Sequence, residues 1–521
     1  MSDFENLFFR LQNGNDVRGI AIATEEAPAT LTKDMVAFIT RAFASWLSGK
    51  TNKAKDELRI GVGHDSRLSA EMMEAGCLIG LAGTQIFLCH LSSTPSMFQS
   101  TVYEESNFDA AIMITASHLP YPRNGLKFFT REGALEKSQL TEILKLAVEL
   151  AEKYGSEDTE AIVKAALPEE AGGQVQDFDL VDVYSRHMCD YVKKQVQAPD
   201  YDQPLAGLHI VLDAGNGAAG FFADKILAAL GADTAGSICL NPDGTFPVHV
   251  PNPENSVAMD AIRKATLDAH ADLGVIFDCD GDRGAVVLSD GKEVNRNRLI
   301  AMLAKIVSED YPGTTIVTDS VTSDELADFL EGTLKMKHLR FKRGYKNVIN
   351  KGIELNAAGQ DCELAIETSG HGAFKDNYFS DDGAYIGIKI ICQLARMRQK
   401  GLQLESLLEG FAEPAEAVER RYAIVDEPGD ERDFHSYGAS VIEAFRAFAG
   451  QNENLSLVEP NYEGVRVAFD NGSVKGWMLV RQSLHDPEIP VNIEAKQNGG
   501  VQAILDCTND FFAQFTRLKL K

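Results

Sequence analysis

Short apolar runs alternate along this chain with longer stretches in which apolar residues recur every three or four positions. The short runs fit buried strands, and the three-to-four spacing fits one face of a helix. Their alternation predicts α/β layers with mainly parallel strands. In the first third, strands are expected at residues 59–63, 85–91 and 109–115, a helix capped by Ser69 runs to about Leu81, and another covers 139–154. Residues 190–207, with their Pro and Asp, read as a linker. A second unit opens at the apolar run 208–213 and carries a strand at 273–277. A third opens at 315–318, after the turn Tyr311-Pro312-Gly313. Beyond about Glu416 the pattern changes. Strands at 463–469 and 475–481 flank Asp470-Asn471-Gly472, a hairpin signal, and a helix near 500–518 closes the chain. The expected division is three related α/β units, 1–200, 205–310 and 311–415, followed by a smaller α+β unit, 416–521.

Composition narrows the function classes. The chain has 521 residues, 50 basic and 77 acidic, for a net charge of −27. Such a surface disfavours nucleic-acid backbones and anionic membranes. Eight cysteines lie far apart with no Cys-x-x-Cys pair, which fits reduced thiols and gives no zinc or disulfide framework. The acidic start, Met1-Ser2-Asp3-Phe4-Glu5, lacks the basic flank of a signal peptide. The apolar window 72–91 reads as a helix followed by a buried strand, not as a membrane span. A cytoplasmic protein is expected.

Four loops carry candidate chemistry. The loop from Thr115 to Lys127 follows an apolar strand and holds Ser117, His118 and Lys127. A serine at a strand end is held rigidly, a common arrangement in α/β active sites, although a plain strand-to-helix turn with a capping serine fits equally well. Asp278-Cys279-Asp280-Gly281-Asp282-Arg283 follows the strand at 273–277. Alternate side chains of an extended segment share a side, so Asp278, Asp280 and Asp282 converge on one hard cation, Mg²⁺ or Ca²⁺. An EF-hand fails because Ser289 stands where the bidentate Glu is needed. Glu367-Thr368-Ser369-Gly370-His371 follows strand 364–366 and offers a carboxylate and a hydroxyl to vicinal sugar hydroxyls; alone it is as well a polar turn. Arg481-Gln482-Ser483 ends a strand and offers a guanidinium, a hydroxyl and turn N–H groups to a phosphate. Residues 335–351 add seven Lys and Arg and no acid. Within that run, the turn carrying Arg343 and Lys346 could also meet a phosphate, whereas most of it reads as a solvated face.

Taken in this order, the four loops resemble the α-D-phosphohexomutase superfamily, the phosphoglucomutases and phosphomannomutases. The resemblance extends to Asp16-Val17-Arg18-Gly19, the run from Gly63 to Ser69, Thr94-Pro95 and Pro251-Asn252-Pro253-Glu254, and so covers nearly the whole chain. It implies three related α/β domains with mixed sheets and a C-terminal α+β domain like the TATA-box-binding protein, around a central cleft. It implies a Mg²⁺-dependent mutase interconverting hexose 1-phosphate and hexose 6-phosphate, with glucose 1,6-bisphosphate as activator. Carried over by motif, Ser117 holds the phosphoryl group and, with Asp278, Asp280 and Asp282, the metal. Arg18 and Arg283 neutralise the phosphate, and Lys127 and His371 are the base and acid. Glu367 and Ser369 grip the sugar, and Arg481 with Ser483 the distant phosphate. Together with Arg343 and Lys346, these cations would form a small positive cleft within an acidic shell. The partners implied are small sugar phosphates, with no nucleic acid or membrane, in a monomer or homodimer.

This sequence departs from the family pattern at Leu119, Cys279, Ile366, His485, Asp486 and Pro490. The last three fall on the phosphate clamp and leave two alternatives open. One is a hexose-1,6-bisphosphate synthase that uses the same phosphoserine. The other is a non-catalytic phosphosugar sensor.

Overall fold

The apolar runs become strands buried on both faces. Ala110–Ile114, Leu273–Phe277 and Cys362–Ile366 are buried at every position, as expected where helices cover both sides of a sheet. The computed structural model describes residues 3–155, 174–483 and 486–521. The chain divides into one unit of Met1–Asn295, Ser369–Ala373 and Ser380–Ser406, and another of Arg296–Thr368, Phe374–Phe379 and Leu407–Lys521.

In the first unit, an eight-stranded sheet is built around Arg59–His64, which runs parallel to both Gln85–Leu91 and Ala110–Ile114. Arg123–Thr130 returns antiparallel beside Ala110–Ile114 and places Lys127 opposite Met113. Residues 115–122 therefore join two strands, not a strand and a helix. The helices Lys33–Thr51, Ala70–Gly80 and Lys137–Tyr154 share the core on one face, with Phe38, Phe43, Met73 and Ile143 fully buried. Ser69 does precede a helix, but its hydroxyl accepts from Asn124 Nδ2 (2.9 Å) and not from the helix backbone. The start of the expected linker is helix: Leu180–Val196 is capped by Asp179 and buries Leu180, Val183, Tyr184, Met188, Val192 and Val196 along one face.

A second sheet has the order Glu293–Val294, Gly284–Leu288, Leu273–Phe277, Ile210–Asp213. Phe277 pairs antiparallel with Gly284, so Asp278–Arg283 is the turn of a hairpin. The three aspartates converge because the chain turns back, with Gly281 at φ +76°, and not because the segment is extended.

In the second unit, Thr315–Thr318 pairs in parallel with Lys337–Arg340 and Cys362–Ile366. A six-stranded antiparallel sheet follows, in the order Leu455–Leu457, Val465–Asp470, Lys475–Val480, Glu488–Ala495, Glu416–Ile424, Leu518–Leu520. Its core includes Val441 and Phe445 from helix Phe434–Ala449 and Ile504 and Phe512 from helix Gly500–Ala513. The last helix ends at Ala513 rather than near Leu518, which instead opens an edge strand. Glu463 precedes its strand and lies in the turn before Val465. Arg466 lies over the Trp477 ring at 3.6 Å and donates to the backbone of Ser320 and Thr322, tying this sheet to the loop after Thr315–Thr318.

Among the described residues, no helix is long and apolar enough to cross a membrane. Their eight cysteines are all free thiols.

Candidate active site

Ser117 sits just past the end of Ala110–Ile114, in the left-handed region at φ +50°. A non-glycine residue there costs of order 1–3 kcal/mol, so its surroundings must hold it. They do so from three sides. Its N–H donates to Thr115 Oγ1 (2.8 Å), whose hydroxyl in turn donates to Asp65 Oδ2 (2.6 Å). Its carbonyl accepts from the Arg67 guanidinium, which also donates to the carbonyl of Leu119 (2.6 Å). Leu119 is thus used through its backbone, which any residue supplies. The Ser117 hydroxyl donates to Asp278 Oδ2 (2.9 Å) and accepts from Arg283 Nη2 (3.0 Å).

Asp278, Asp280 and Asp282 are all 0 % exposed, and one oxygen from each lies within 4.8 Å of the others. Asp278 Oδ1 accepts the backbone N–H groups of Gly281 (3.0 Å) and Arg283 (3.2 Å), and its Oδ2 accepts Arg283 Nε (3.1 Å). Asp280 Oδ2 accepts Thr94 Oγ1 (2.5 Å) and Lys127 Nζ (3.0 Å), and Lys127 also donates to Asp282. Burial raises the Asp278 pKa, with repulsion from Asp282 and Asp280 adding to it. Burial also acts to raise Asp280, but Lys127 and the Thr94 hydroxyl outweigh it and hold that carboxyl below its usual range. Asp280 Oδ1 and Asp282 Oδ1 are buried without a hydrogen-bond donor. Orphaned carboxylate oxygens in an all-oxygen cluster fit a hard divalent cation, and the set matches Mg²⁺ in donor type.

His371 and Arg283 face each other across an isolated β-bridge. His371 Nδ1 lies 2.6 Å from Asp381 Oδ2 and 3.8 Å from Asp282 Oδ1. Burial lowers its pKa, but Asp381 and Asp282 more than compensate and carry it up to about 9. His118 behaves oppositely: burial and the Arg283 charge push it down to about 3, so it is neutral. Arg18 donates to the carbonyl of Thr115 and pairs with Asp16 (2.8 Å). The first unit therefore brings together Ser117, Asp278, Asp280, Asp282, Arg283, Lys127, Arg18 and His371, and it also contains Ser369.

The second unit holds the other predicted residues. Glu367 Oε1 accepts the N–H of Gly344 (2.7 Å), at the start of helix Tyr345–Ala357, which carries Lys346 in its first turn. Glu463 Oε2 accepts the N–H of Arg343 (3.0 Å), and its Oε1 lies 4.0 Å from Arg481 Nη1. Burial and the neighbouring Arg343 charge lower the Arg481 pKa. Two cationic side chains thus stand close together, with Glu463 as carboxylate partner. Asp319, fully buried, accepts Thr368 Oγ1 (2.7 Å) and lies 3.6 Å from Arg343 Nε. Ser483 Oγ accepts the N–H of Asp486 (3.2 Å), and the carbonyl of Pro490 accepts the N–H of Arg481 (3.2 Å). His485 lies outside the described residues.

Sequence reasoning missed Asp381, which no motif marked, and Glu463. Asp65, Arg67 and Thr94 lie in runs that share in the family resemblance but carry no role from it, and Thr115 opens the serine loop. Their signal was polarity at the ends of apolar strands.

Comparison with known proteins identifies the family. Residues 10–154, 188–291 and 295–414 match the family models for phosphoglucomutase/phosphomannomutase alpha/beta/alpha domains I, II and III, respectively. A phosphomannomutase/phosphoglucomutase of Pseudomonas putida is 27% identical over 495 residues, 94% of this chain and 93% of that protein. A phosphoglucosamine mutase of Deinococcus deserti is 30% identical over 350 residues, 67% of this chain and 71% of that one. A crystal structure of a phosphoglucomutase/phosphomannomutase family protein from Burkholderia thailandensis superposes with a TM-score of 0.76 at 26% identity, covering 99% of both chains. Three domain matches in order, with relatives along almost the full length, place the chain in the α-D-phosphohexomutase superfamily, as an intramolecular phosphotransferase of the phosphoglucomutase/phosphomannomutase type.

Proposed function

We propose that this chain interconverts hexose 1-phosphate and hexose 6-phosphate, with glucose, mannose or both as the hexose, by passing a phosphoryl group through Ser117. The observation that carries this reading is the Ser117 hydroxyl, fixed in a left-handed turn between Asp278 Oδ2 (2.9 Å) and Arg283 Nη2 (3.0 Å). The names of the relatives support a sugar phosphate as substrate.

In the proposed cycle, the phosphoryl group leaves Ser117 Oγ for the free hydroxyl of a bound sugar monophosphate. The P–O bond to serine breaks, a bond to the sugar oxygen forms, and the hydroxyl proton passes to a base. The product is a 1,6-bisphosphate. It returns its other phosphoryl group to Ser117 once the sugar is bound in the opposite sense, and a trace of glucose 1,6-bisphosphate primes the serine. Asp278, Asp280, Asp282 and a phosphoryl oxygen on Ser117 would hold Mg²⁺, which would supply charge neutralisation on the phosphoryl oxygens. Arg283 and Arg18 add guanidinium charge. His371 is the acid, since Asp381 holds it as imidazolium at neutral pH. Lys127 is the candidate base; its Nζ lies 3.0 Å from Asp280 Oδ2 and also pairs with Asp282. Glu367 and Ser369 are assigned to sugar hydroxyls, and Arg343, Lys346, Arg481 and Ser483 to the non-reacting phosphate.

The same reading assigns 1–200 to the phosphoserine domain, 205–310 to the metal-binding domain, 311–415 to the sugar-binding domain and 416–521 to the phosphate-binding domain. It takes small sugar phosphates as the partners, in the cytoplasm, with the enzyme a monomer or homodimer.

The test is Ser117→Ala, assayed with glucose 1-phosphate, Mg²⁺ and glucose 1,6-bisphosphate, following both isomer and bisphosphate. Turnover should fall to background. Wild-type isomerisation by this variant would sink the mechanism. Stoichiometric bisphosphate release by the wild type, in place of isomer, would make the enzyme a bisphosphate synthase.

A further inference from the structure

A second cluster of ligating side chains lies in the first unit, on residues that the mutase mechanism does not use. Asp213 ends the strand Ile210–Asp213, Cys239 lies in the following loop in a left-handed conformation at φ +53°, and His249 lies just before Pro251. His249 Nε2 is 2.8 Å from Asp213 Oδ2 and 3.8 Å from Cys239 Sγ. One ligating atom from each of the three falls within 4.8 Å of the others.

The hydrogen-bond logic at His249 is the informative part. Its Nδ1 faces the carbonyl of Val250 at 3.0 Å, and a carbonyl only accepts, so Nδ1 carries the proton. In a neutral ring Nε2 would then be a bare acceptor 2.8 Å from a carboxylate oxygen, with the Cys239 thiol, a weak donor, 3.8 Å away. That arrangement is repulsive unless a cation sits at Nε2, either a proton or a metal ion. The other Asp213 oxygen is committed to the N–H of Gly215 (2.9 Å), which leaves Oδ2 free of backbone work and aimed at the ring. A backbone carbonyl holding the far nitrogen of a ligating histidine is the usual outer support of such a ligand.

We propose that Asp213, Cys239 and His249 form a binding site for a borderline-soft divalent metal of the Zn²⁺ class, separate from the hard-cation set of Asp278, Asp280 and Asp282. One carboxylate oxygen, one thiolate and one imidazole nitrogen are the donor types that Zn²⁺ accepts, and three protein ligands leave a fourth position open. Asp213 and His249 are buried, whereas Cys239 is half-buried, so an ion can enter from the sulfur side. Bond lengths of about 2.0–2.3 Å need only small side-chain rotations from the present separations.

Co²⁺ titration of the full-length protein tests this, because a cobalt–thiolate bond gives a near-ultraviolet charge-transfer band that oxygen ligands do not. The wild type should develop that band to one equivalent per chain, and Zn²⁺ should abolish it by displacement. Cys239→Ala, a mild change at a half-buried position, should remove the band and weaken Zn²⁺ binding by at least ~10–100-fold, the size of effect that even outer-shell losses produce. Asp278→Asn should leave the band in place, since its carboxylate belongs to the other cluster. A wild type without the band, or a band that survives in Cys239→Ala, would overturn the proposal.

Discussion

Thr115 is the residue on which the placement of Ser117 turns, and Thr115→Val isolates its hydroxyl at nearly constant shape. That hydroxyl accepts the Ser117 N–H at 2.8 Å and donates to Asp65 Oδ2 at 2.6 Å, in a region where all three residues are buried. Valine removes both bonds. The Ser117 N–H is then a buried donor without an acceptor, at about 1–3 kcal/mol, and a charge-assisted bond worth about 1.5–3 kcal/mol is lost. Asp65 keeps Arg67, with Nε 3.3 Å away, so the carboxylate itself is not orphaned. The expected destabilisation is about 2.5–6 kcal/mol. Thr115→Ser keeps the hydroxyl and should cost only about 0.8 kcal/mol for the missing methyl. The two tryptophans make the assay specific: Trp46 lies in the first unit and Trp477 in the second. In a Trp477→Phe background, urea unfolding followed by fluorescence reports the unit that carries Ser117. Turnover should fall about 10–100-fold for valine through misplacement of the hydroxyl, with kcat affected more than KM, and serine should restore most of it. Valine within about 0.5 kcal/mol of wild type, a conventional surface-substitution range, with unchanged kcat would refute the reasoning. So would a serine variant as impaired as valine.

Two further substitutions test other parts of the site. His371 titrates at about 9, against an ordinary 6.5. The stability it contributes as imidazolium is complete below about 6.5 and is lost as pH rises through about 9. Asp381→Asn removes the carboxylate 2.6 Å away and should bring the alkaline limb of kcat/KM, and the pH at which stability declines, down by roughly 1 unit or more; an unmoved limb in the pH–rate profile would count against His371 as the acid. Gly217→Ala would place a methyl 2.2 Å from the Cys279 carbonyl oxygen and 2.7 Å from its Cα, between two of the clustered aspartates. It should cost about 1–3 kcal/mol or more and lower activity, whereas Gly49→Ala, with nothing within 4 Å in its helix, should be neutral or stabilising. Calorimetric melting of the two variants side by side would show whether the contrast holds.

The fold was legible where periodicity and burial coincide. The strands Gln85–Leu91, Leu273–Phe277 and Thr315–Thr318 have the predicted bounds, and the last two are buried at every position, as a two-sided core requires. Errors arose where local polarity misled. The Pro and Asp of residues 190–207 suggest a linker, but the apolar positions from Leu180 to Val196 pack one face of a helix that tolerates charge on the other. Ser69 stands in the position of a cap, yet Asn124, distant in sequence, takes its hydroxyl. No local rule predicts a competition won by a residue 55 positions away.

The site shows the same division. Ser117 and the aspartate triplet were readable because their chemistry is concentrated in short motifs at strand ends. The residues that give them their properties were not. Asp65 reaches Ser117 through Thr115, and Thr94 and Lys127 set the charge of Asp280, across long stretches of chain, while Asp381 sets that of His371 from beyond the motif that carries it. These partners also revise the expectation about charge. Arg18, Lys127 and Arg283 lie in the first unit, and Arg343, Lys346 and Arg481 in the second. In the first unit the cations are not a positive surface awaiting an anion, because Arg18 pairs with Asp16, Arg283 with Asp278, and Lys127 with Asp280 and Asp282. A near-balanced buried set accepts a divalent cation and a phosphoryl group of charge about −1.5 to −2 most readily as a pair, since each offsets the other. A chain of net charge −27 therefore needs no broad basic face to handle sugar phosphates. The balance is struck within the few residues around Ser117, where screening from the acidic exterior is effective beyond about 10 Å at 0.1 M salt.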